Sequence, residues 1–338
     1  MQKKWLLIGA LSVGIMASGG WWYVEYGIGW INPRAKNQIE IRRDLAKYDF
    51  DSLRKRPSVV SEIDILGPIE AVEERRKNMG LKYENIFSTR EISFVSNGKK
   101  ISGMINYYPE RSSLSPVVIM IRGYAEPVGY YPGSGTWRVA DRLADAGIMT
   151  VSLDFLGYAN SDIESTDVLE ARFEKVPEVL DLIASVKNLP FVDSERIGIW
   201  AHSNGGQIAL SVLEVTGVNY PTVLWAPMTN PFPQSVYETL EEGSIVKEIL
   251  DEFGKHYDYR RYAFENYYAW INAPVVIHQG TADEWCEVEW QEVVVNGLKE
   301  VGKDADLYIY EGDDHNFSKS WEEVVERDLG FFREKLIQ

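Results

Sequence analysis

Serine, histidine and aspartate recur in this chain at places where a strand gives way to a loop or a helix. The run Arg196-Ile197-Gly198-Ile199-Trp200-Ala201-His202-Ser203-Asn204-Gly205-Gly206 reads as a strand, a tight turn and a helix start. A serine on such a turn is held exposed for attack, and small residues two before and two after it let strand and helix approach. Ala201 and Gly205 supply those small residues, Ala201 with one methyl group more than the usual glycine. The chemistry expected of Ser203 is nucleophilic attack on a carbonyl carbon. The positive N-terminal end of the helix that follows lies where the oxyanion would develop.

Serine needs a base, and the base needs an orienting carboxylate. The chain has four histidines. His202 adjoins the nucleophile and is expected to point away from it, His278 falls inside a predicted strand, and His256 lies in an aromatic-rich stretch. His315, in Gly312-Asp313-Asp314-His315-Asn316-Phe317, follows the last predicted strand on a loop before the final helix. The acid belongs after an earlier strand, and Gly280-Thr281-Ala282-Asp283 comes directly after Val275–His278. Asp283 is therefore the expected acid, with Glu284, Asp313 and Asp314 as weaker substitutes. Ser203, Asp283, His315 is the order of triads on the α/β-hydrolase fold. An oxyanion hole requires two backbone N–H groups. Asn204 supplies one by position, and Tyr124, in Arg122-Gly123-Tyr124-Ala125-Glu126, is the candidate for the other. Trp285, two residues past Asp283, is a candidate to line the substrate site. No cofactor or metal is expected: the lone cysteine, Cys286, suggests no zinc site and allows no internal disulfide.

The elements that must position these groups alternate regularly from about Ser88. Asn97-Gly98 between alternating apolar runs signals a hairpin, since both residues tolerate positive φ. Strands are expected at Val117–Ile121, Ile148–Leu153, Arg196–Trp200, Thr222–Trp225, Val275–His278 and Asp306–Tyr310. Between and after them helices are expected at Trp137–Ala146, ended by Gly147, at Val168–Lys187, from about Asn204, at Glu287–Gly302 and at Trp321–Leu336. Such alternation implies a mostly parallel sheet with helices on both faces, its reactive groups on loops at the carboxyl ends of the strands. The organisation expected is a membrane anchor or signal peptide at 1–30, a helical linker at 31–85, and a catalytic domain at 86–338 with a helical insert at 227–272.

From about Ser88 onward the chain resembles the catalytic domain of the prolyl oligopeptidase family and its dienelactone-hydrolase-like and acetyl-esterase-like relatives. The resemblance rests on the hairpin, on Asp154-Phe155-Leu156-Gly157-Tyr158-Ala159-Asn160-Ser161, and on Pro274-Val275-Val276-Ile277-His278-Gln279-Gly280-Thr281-Ala282-Asp283. It implies an α/β-hydrolase fold and an acyl-enzyme route on small peptides or carboxylic esters. Arg122 stands where those families usually carry histidine before the oxyanion-loop glycine. The chain also has no room for the β-propeller that filters substrates in prolyl oligopeptidases, which favours an esterase, whereas the likeness to peptidase domains favours a peptidase. A protein of this fold that only binds a ligand or partner is the reading from another class.

A formal net charge of −16 over 338 residues argues against a nucleic-acid partner. After Lys3 and Lys4, no charged residue occurs from Trp5 to Val24, a run long enough to cross a bilayer as a helix. Ala17-Ser18-Gly19 fits a signal-peptide cleavage site, while Trp21, Trp22 and Tyr23 fit an interfacial belt on an uncleaved anchor. The expectation is a membrane-anchored protein with its catalytic domain outside the cytoplasm, or a secreted or periplasmic one if the segment is cleaved. Tyr257, Tyr259, Tyr262, Phe264, Tyr267, Tyr268 and Trp270 in the insert read as its own small core before a binding cleft.

Overall fold

The computed structural model describes residues 45–239 and 243–337; the Trp5–Val24 segment lies outside them. The strands are β1 (Asp64–Ile65), β2 (Ser88–Ser96), β3 (Lys99–Tyr107), β4 (Ser115–Ile121), β5 (Met149–Leu153), β6 (Val192–His202), β7 (Thr222–Trp225), β8 (Val275–Gly280) and β9 (Ala305–Tyr310). They form one sheet in the order β1-β2-β3-β5-β4-β6-β7-β8-β9. Pairing is antiparallel from β1 through β3 to β5 and parallel from β5 across to β9. Asn97 and Gly98 take φ of 50° and 77°, the left-handed conformations that close the β2–β3 hairpin.

The central strands are apolar on both sides because both faces are covered. On β4, Val117, Ile119 and Ile121 join one core and Val118 and Met120 the other. The helices are α1 (Phe50–Lys55), α2 (Glu70–Asn78), α3 (Trp137–Asp145), α4 (Val168–Phe173), α5 (Lys175–Val186), α6 (Asn204–Thr216), α7 (Gln234–Thr239), α8 (Gly243–His256), α9 (Val288–Glu300) and α10 (Trp321–Leu336). Residues of α5, α6 and α9 fill the first core, and residues of α3 and α10 fill the second. The single helix expected over Val168–Lys187 is two, broken at Glu174. Pro177 explains the break: it has no N–H for the Phe173 carbonyl, so it suits the first turn of a new helix and not the middle of an old one.

The described part of the expected linker is packed into the domain. Leu45, Phe50 and Leu53 are buried in the first core, and β1 adds an edge strand. Arg56, from the basic cluster before Pro57, forms a two-pronged ion pair with buried Asp181 of α5, both bonds 2.7 Å. The described part of the insert is helical, with α7, α8 and three short 3₁₀ turns. Among the described residues no helix is long and apolar enough to cross a membrane.

Candidate active site

Ser203 lies between β6 and α6 with φ 54° and ψ −124°, a backbone conformation that a non-glycine residue holds only under constraint. Its N–H donates to the Trp225 carbonyl at 2.9 Å, and its own carbonyl accepts from Gly206 and Met228. The need for small neighbours is geometric. A Cβ on Gly205 would lie 2.4 Å from the Ile121 carbonyl oxygen, and one on Gly206 would lie 2.2 Å from Pro227 Cβ. Neither fits, so glycine at both positions lets α6 start flush against the sheet.

The loops after β8 and β9 bring Asp283 and His315 together. A Cβ on Gly280 would lie 2.3 Å from the Asp313 carbonyl oxygen, and the Ala282 N–H donates to that same oxygen at 2.9 Å. The two loops are thus zipped together, and His315 Nδ1 meets Asp283 Oδ2 at 2.8 Å. The Asp283 carboxylate is fully buried and the His315 ring 15% exposed. Asp283 Oδ1 accepts from the N–H groups of Trp285 (2.8 Å) and Cys286 (3.0 Å), and Oδ2 also accepts from Gln279 Nε2 (2.9 Å). Burial alone would raise this carboxyl. The bond and charge of His315, with the two backbone donors, outweigh burial and hold it below the usual carboxylate range. A carboxylate on Nδ1 fixes the proton there and leaves Nε2 as the basic nitrogen.

Asp313 and Asp314 do other work. Asp313 accepts from the N–H groups of Asp314, Lys319 and Ser320, and Asp314 from those of Asn316 and Ser318. Both shape the loop that carries His315, and among the described residues Asp283 is the one that hydrogen-bonds its ring. His202 is tied to the site: its Nε2–H donates to the His315 carbonyl at 3.0 Å, and the two rings lie 4.8 Å apart. Burial first, then the His315 charge, lowers His202 to about 4, so it stays neutral in neutral solution. No hydrogen bond joins Ser203 Oγ to His315 among the described residues; such contacts are often long before substrate binds.

Gly123 packs directly on Ser203. A Cβ there would lie 2.6 Å from Ser203 Cβ and 3.3 Å from Ser203 Oγ. Arg122 is buried, 4% exposed. Its guanidinium donates to the carbonyls of Gly123 (2.7 Å) and Asp154 (2.6 Å) and lies over the rings of Tyr130, Phe155 and Tyr158. Because the peptide is planar and trans, holding the Gly123 oxygen turns the Tyr124 N–H the opposite way. Asn204 opens α6, where the first N–H groups have no partner within the helix. The Tyr124 ring is exposed and bonds Glu126, and the Trp285 indole is 69% exposed while its N–H donates to Asp283.

Asp283, Cys286 and His315 place possible metal ligands within 4.8 Å of one another. Their chemistry does not suit an ion: burial pushes the Cys286 thiol well up, keeping it protonated, and both Asp283 oxygens are engaged by hydrogen bonds. Gln279, His202 and the partners of Arg122 were not found by sequence reasoning. A glutamine inside the strand that precedes the acid was the available signal for Gln279.

A mostly parallel sheet with a serine elbow and with acid and histidine loops at its far strands defines the α/β-hydrolase fold. The chain belongs to the prolyl oligopeptidase family, whose model matches residues 138–338. It is 23% identical over 257 residues to a probable isoprenylcysteine α-carbonyl methylesterase of Oryza sativa subsp. japonica, covering 69% of this chain and 59% of that protein. It thus spans less than two thirds of that relative's length. Among solved structures it is similar to Est1E of Butyrivibrio proteoclasticus with ferulic acid bound (TM-score 0.55, 18% identity, 73% of this chain and 99% of that one). It is also similar to a puromycin-hydrolyzing peptidase of Mycobacterium tuberculosis (TM-score 0.59, 17% identity, 74% and 40%).

Proposed function

We propose that this protein is a serine hydrolase that cleaves carboxylic esters or small peptides through an acyl-enzyme. The observation that carries the reading is the Ser203 elbow lying under Gly123, with the adjoining His202 bonded to the carbonyl of a histidine whose Nδ1 is held by a buried carboxylate. His315 Nε2 takes the Ser203 proton as Oγ attacks the carbonyl carbon, and Asp283 stabilises the imidazolium. The N–H groups of Tyr124 and Asn204 receive the oxyanion. His315 then passes the proton to the departing alcohol or amine, and water attacks the acyl-enzyme by the same steps in reverse. Membership of a peptidase family favours amides, and the esterase-named relative favours esters. A panel of acyl esters against aminoacyl anilides, run on the wild-type protein and on Ser203→Ala, tests this. Turnover of either class that disappears in the variant supports the proposal, and turnover that survives contradicts it.

The apolar run Trp5–Val24 supports a membrane anchor or a cleaved signal as part of the same proposal. Retention in membranes through carbonate extraction supports the anchor, and a mature chain starting near Gly20 supports the cleaved signal. A full-length chain in the soluble fraction contradicts both.

A further inference from the structure

Beside the elbow, a cavity of about 50 Å³ runs along α6, lined by Asn204, Gln207, Ile208 and Ser211 on one side and by residues of α4, α5, the insert and the N-terminal segment on the other. Most of its wall is apolar, including Phe173, Phe232, Tyr262 and Phe264. One strong charge stands in it without an opposite partner. Arg172 donates from Nη2 to two neutral acceptors, Gln207 Oε1 (2.6 Å) and Ser235 Oγ (2.7 Å). Among the described residues no carboxylate pairs with it, and its Nε–H and Nη1–H groups bond no protein acceptor. Burial pulls this guanidinium down to about 10, with no acid to restore it.

Arg172 is half-buried, and a cation among aromatic walls without a counter-ion attracts an arriving anion. Nη2 gives both its hydrogens to Gln207 and Ser235, which leaves Nε–H and Nη1–H, on different edges of the guanidinium, to make single charge-assisted bonds to a carboxylate. Arg172 is also linked to the reacting centre. Gln207 bridges Arg172 to the Asn204 side chain, and Asn204 follows Ser203 directly. The space holds roughly three or four water-sized groups, enough for a carboxylate on a short arm.

We propose that Arg172 binds a carboxylate carried by the substrate, a short arm away from the scissile carbonyl. The proposal rests on the serine-hydrolase reading above and names its substrate class: esters or amides with a free carboxylate on the acyl or the leaving arm.

The test compares kcat/KM for four esters on the full-length protein, after subtraction of uncatalysed hydrolysis. They are 4-nitrophenyl hydrogen glutarate, with the acid on the acyl arm, 3-carboxyphenyl butyrate, with the acid on the leaving arm, and neutral 4-nitrophenyl butyrate with phenyl butyrate as its leaving-arm counterpart. The expected result is a preference of about 10- to 100-fold for one acidic ester over its neutral counterpart. That preference should collapse towards one in Arg172→Met and be partly kept in Arg172→Lys. Which acidic ester is preferred assigns the arm. Urea unfolding of each variant, with labelling of Ser203 by a fluorophosphonate probe, reports whether fold and nucleophile are intact. Labelled wild-type protein without a preference, or a preference that survives in Arg172→Met, overturns the inference and leaves the hydrolase reading standing. Wild-type protein that neither labels nor turns over overturns both.

Discussion

Gly123→Ala adds one methyl group at the closest contact between the oxyanion loop and the nucleophile. Its Cβ would lie 2.6 Å from Ser203 Cβ and 3.1 Å from the His202 carbonyl oxygen. Ordinary carbon–carbon contact is ~3.5–4.0 Å, so about 1 Å must be recovered by movement. Neither side yields easily. Ser203 is pinned through the Trp225, Gly206 and Met228 bonds, and the Gly123 carbonyl is pinned by Arg122. The loop has to lift, taking the Tyr124 N–H from the oxyanion position. Misplacement by about 1 Å costs roughly 10²-fold in rate, and loss of one oxyanion donor costs about 10²–10³-fold. Overpacking costs about 1–3 kcal/mol of stability, which a domain of this size survives. The expected result is therefore a folded protein with kcat lowered about 10²- to 10³-fold and KM changed little. Steady-state kinetics on a 4-nitrophenyl ester, with urea unfolding as the control for folding, measures it. A kcat within threefold of wild type in Gly123→Ala would falsify the oxyanion assignment.

Asp283→Asn should lower kcat by about 10⁴-fold while Asp314→Asn stays near wild type, because Asp283 bonds the His315 ring and Asp314 bonds loop N–H groups; near-equal losses in a side-by-side assay would contradict the assignment. Arg122→Met releases the Gly123 carbonyl and should lower kcat roughly 10- to 100-fold with KM largely kept; a change confined to KM would argue against a positioning role. Glu178 is buried in α5, and burial raises its carboxyl to about 8. The folded pKa lies above the unfolded one, so this group's contribution is fully present below the unfolded value. It is lost as pH rises towards 8, at up to about 1.4 kcal/mol per pH unit. Urea midpoints at pH 5 and pH 8 should therefore lie closer together in Glu178→Gln than in the wild type, and an unchanged difference would refute the burial argument.

Much of the site could be read from local chemistry. Ser203 was legible because the elbow needs small residues at fixed offsets, and the Asn97-Gly98 hairpin because it needs two residues that accept positive φ. Asp283 and His315 followed from the rule that reactive groups sit after strands. Arg122 shows where such reading stops. Its partners are a carbonyl on its own loop and the Asp154 carbonyl at the end of β5, brought near by the β4–β5 register. The same holds for Arg172, whose contacts come from α6 and the insert. Local pattern says nothing of either. The two-residue strand β1 was illegible for a different reason: it is too short to show alternation and exists because β2 offers it an edge.

The central claim is that Ser203 is a nucleophile activated by His315, and covalent labelling tests it most directly. Full-length protein treated with a fluorophosphonate probe, digested and analysed by mass spectrometry should carry one adduct, on the peptide containing Ser203. Labelling should vanish in Ser203→Ala and slow by orders of magnitude in His315→Ala. Folded wild-type protein that takes no label, or that takes it on a residue other than Ser203, would contradict the account.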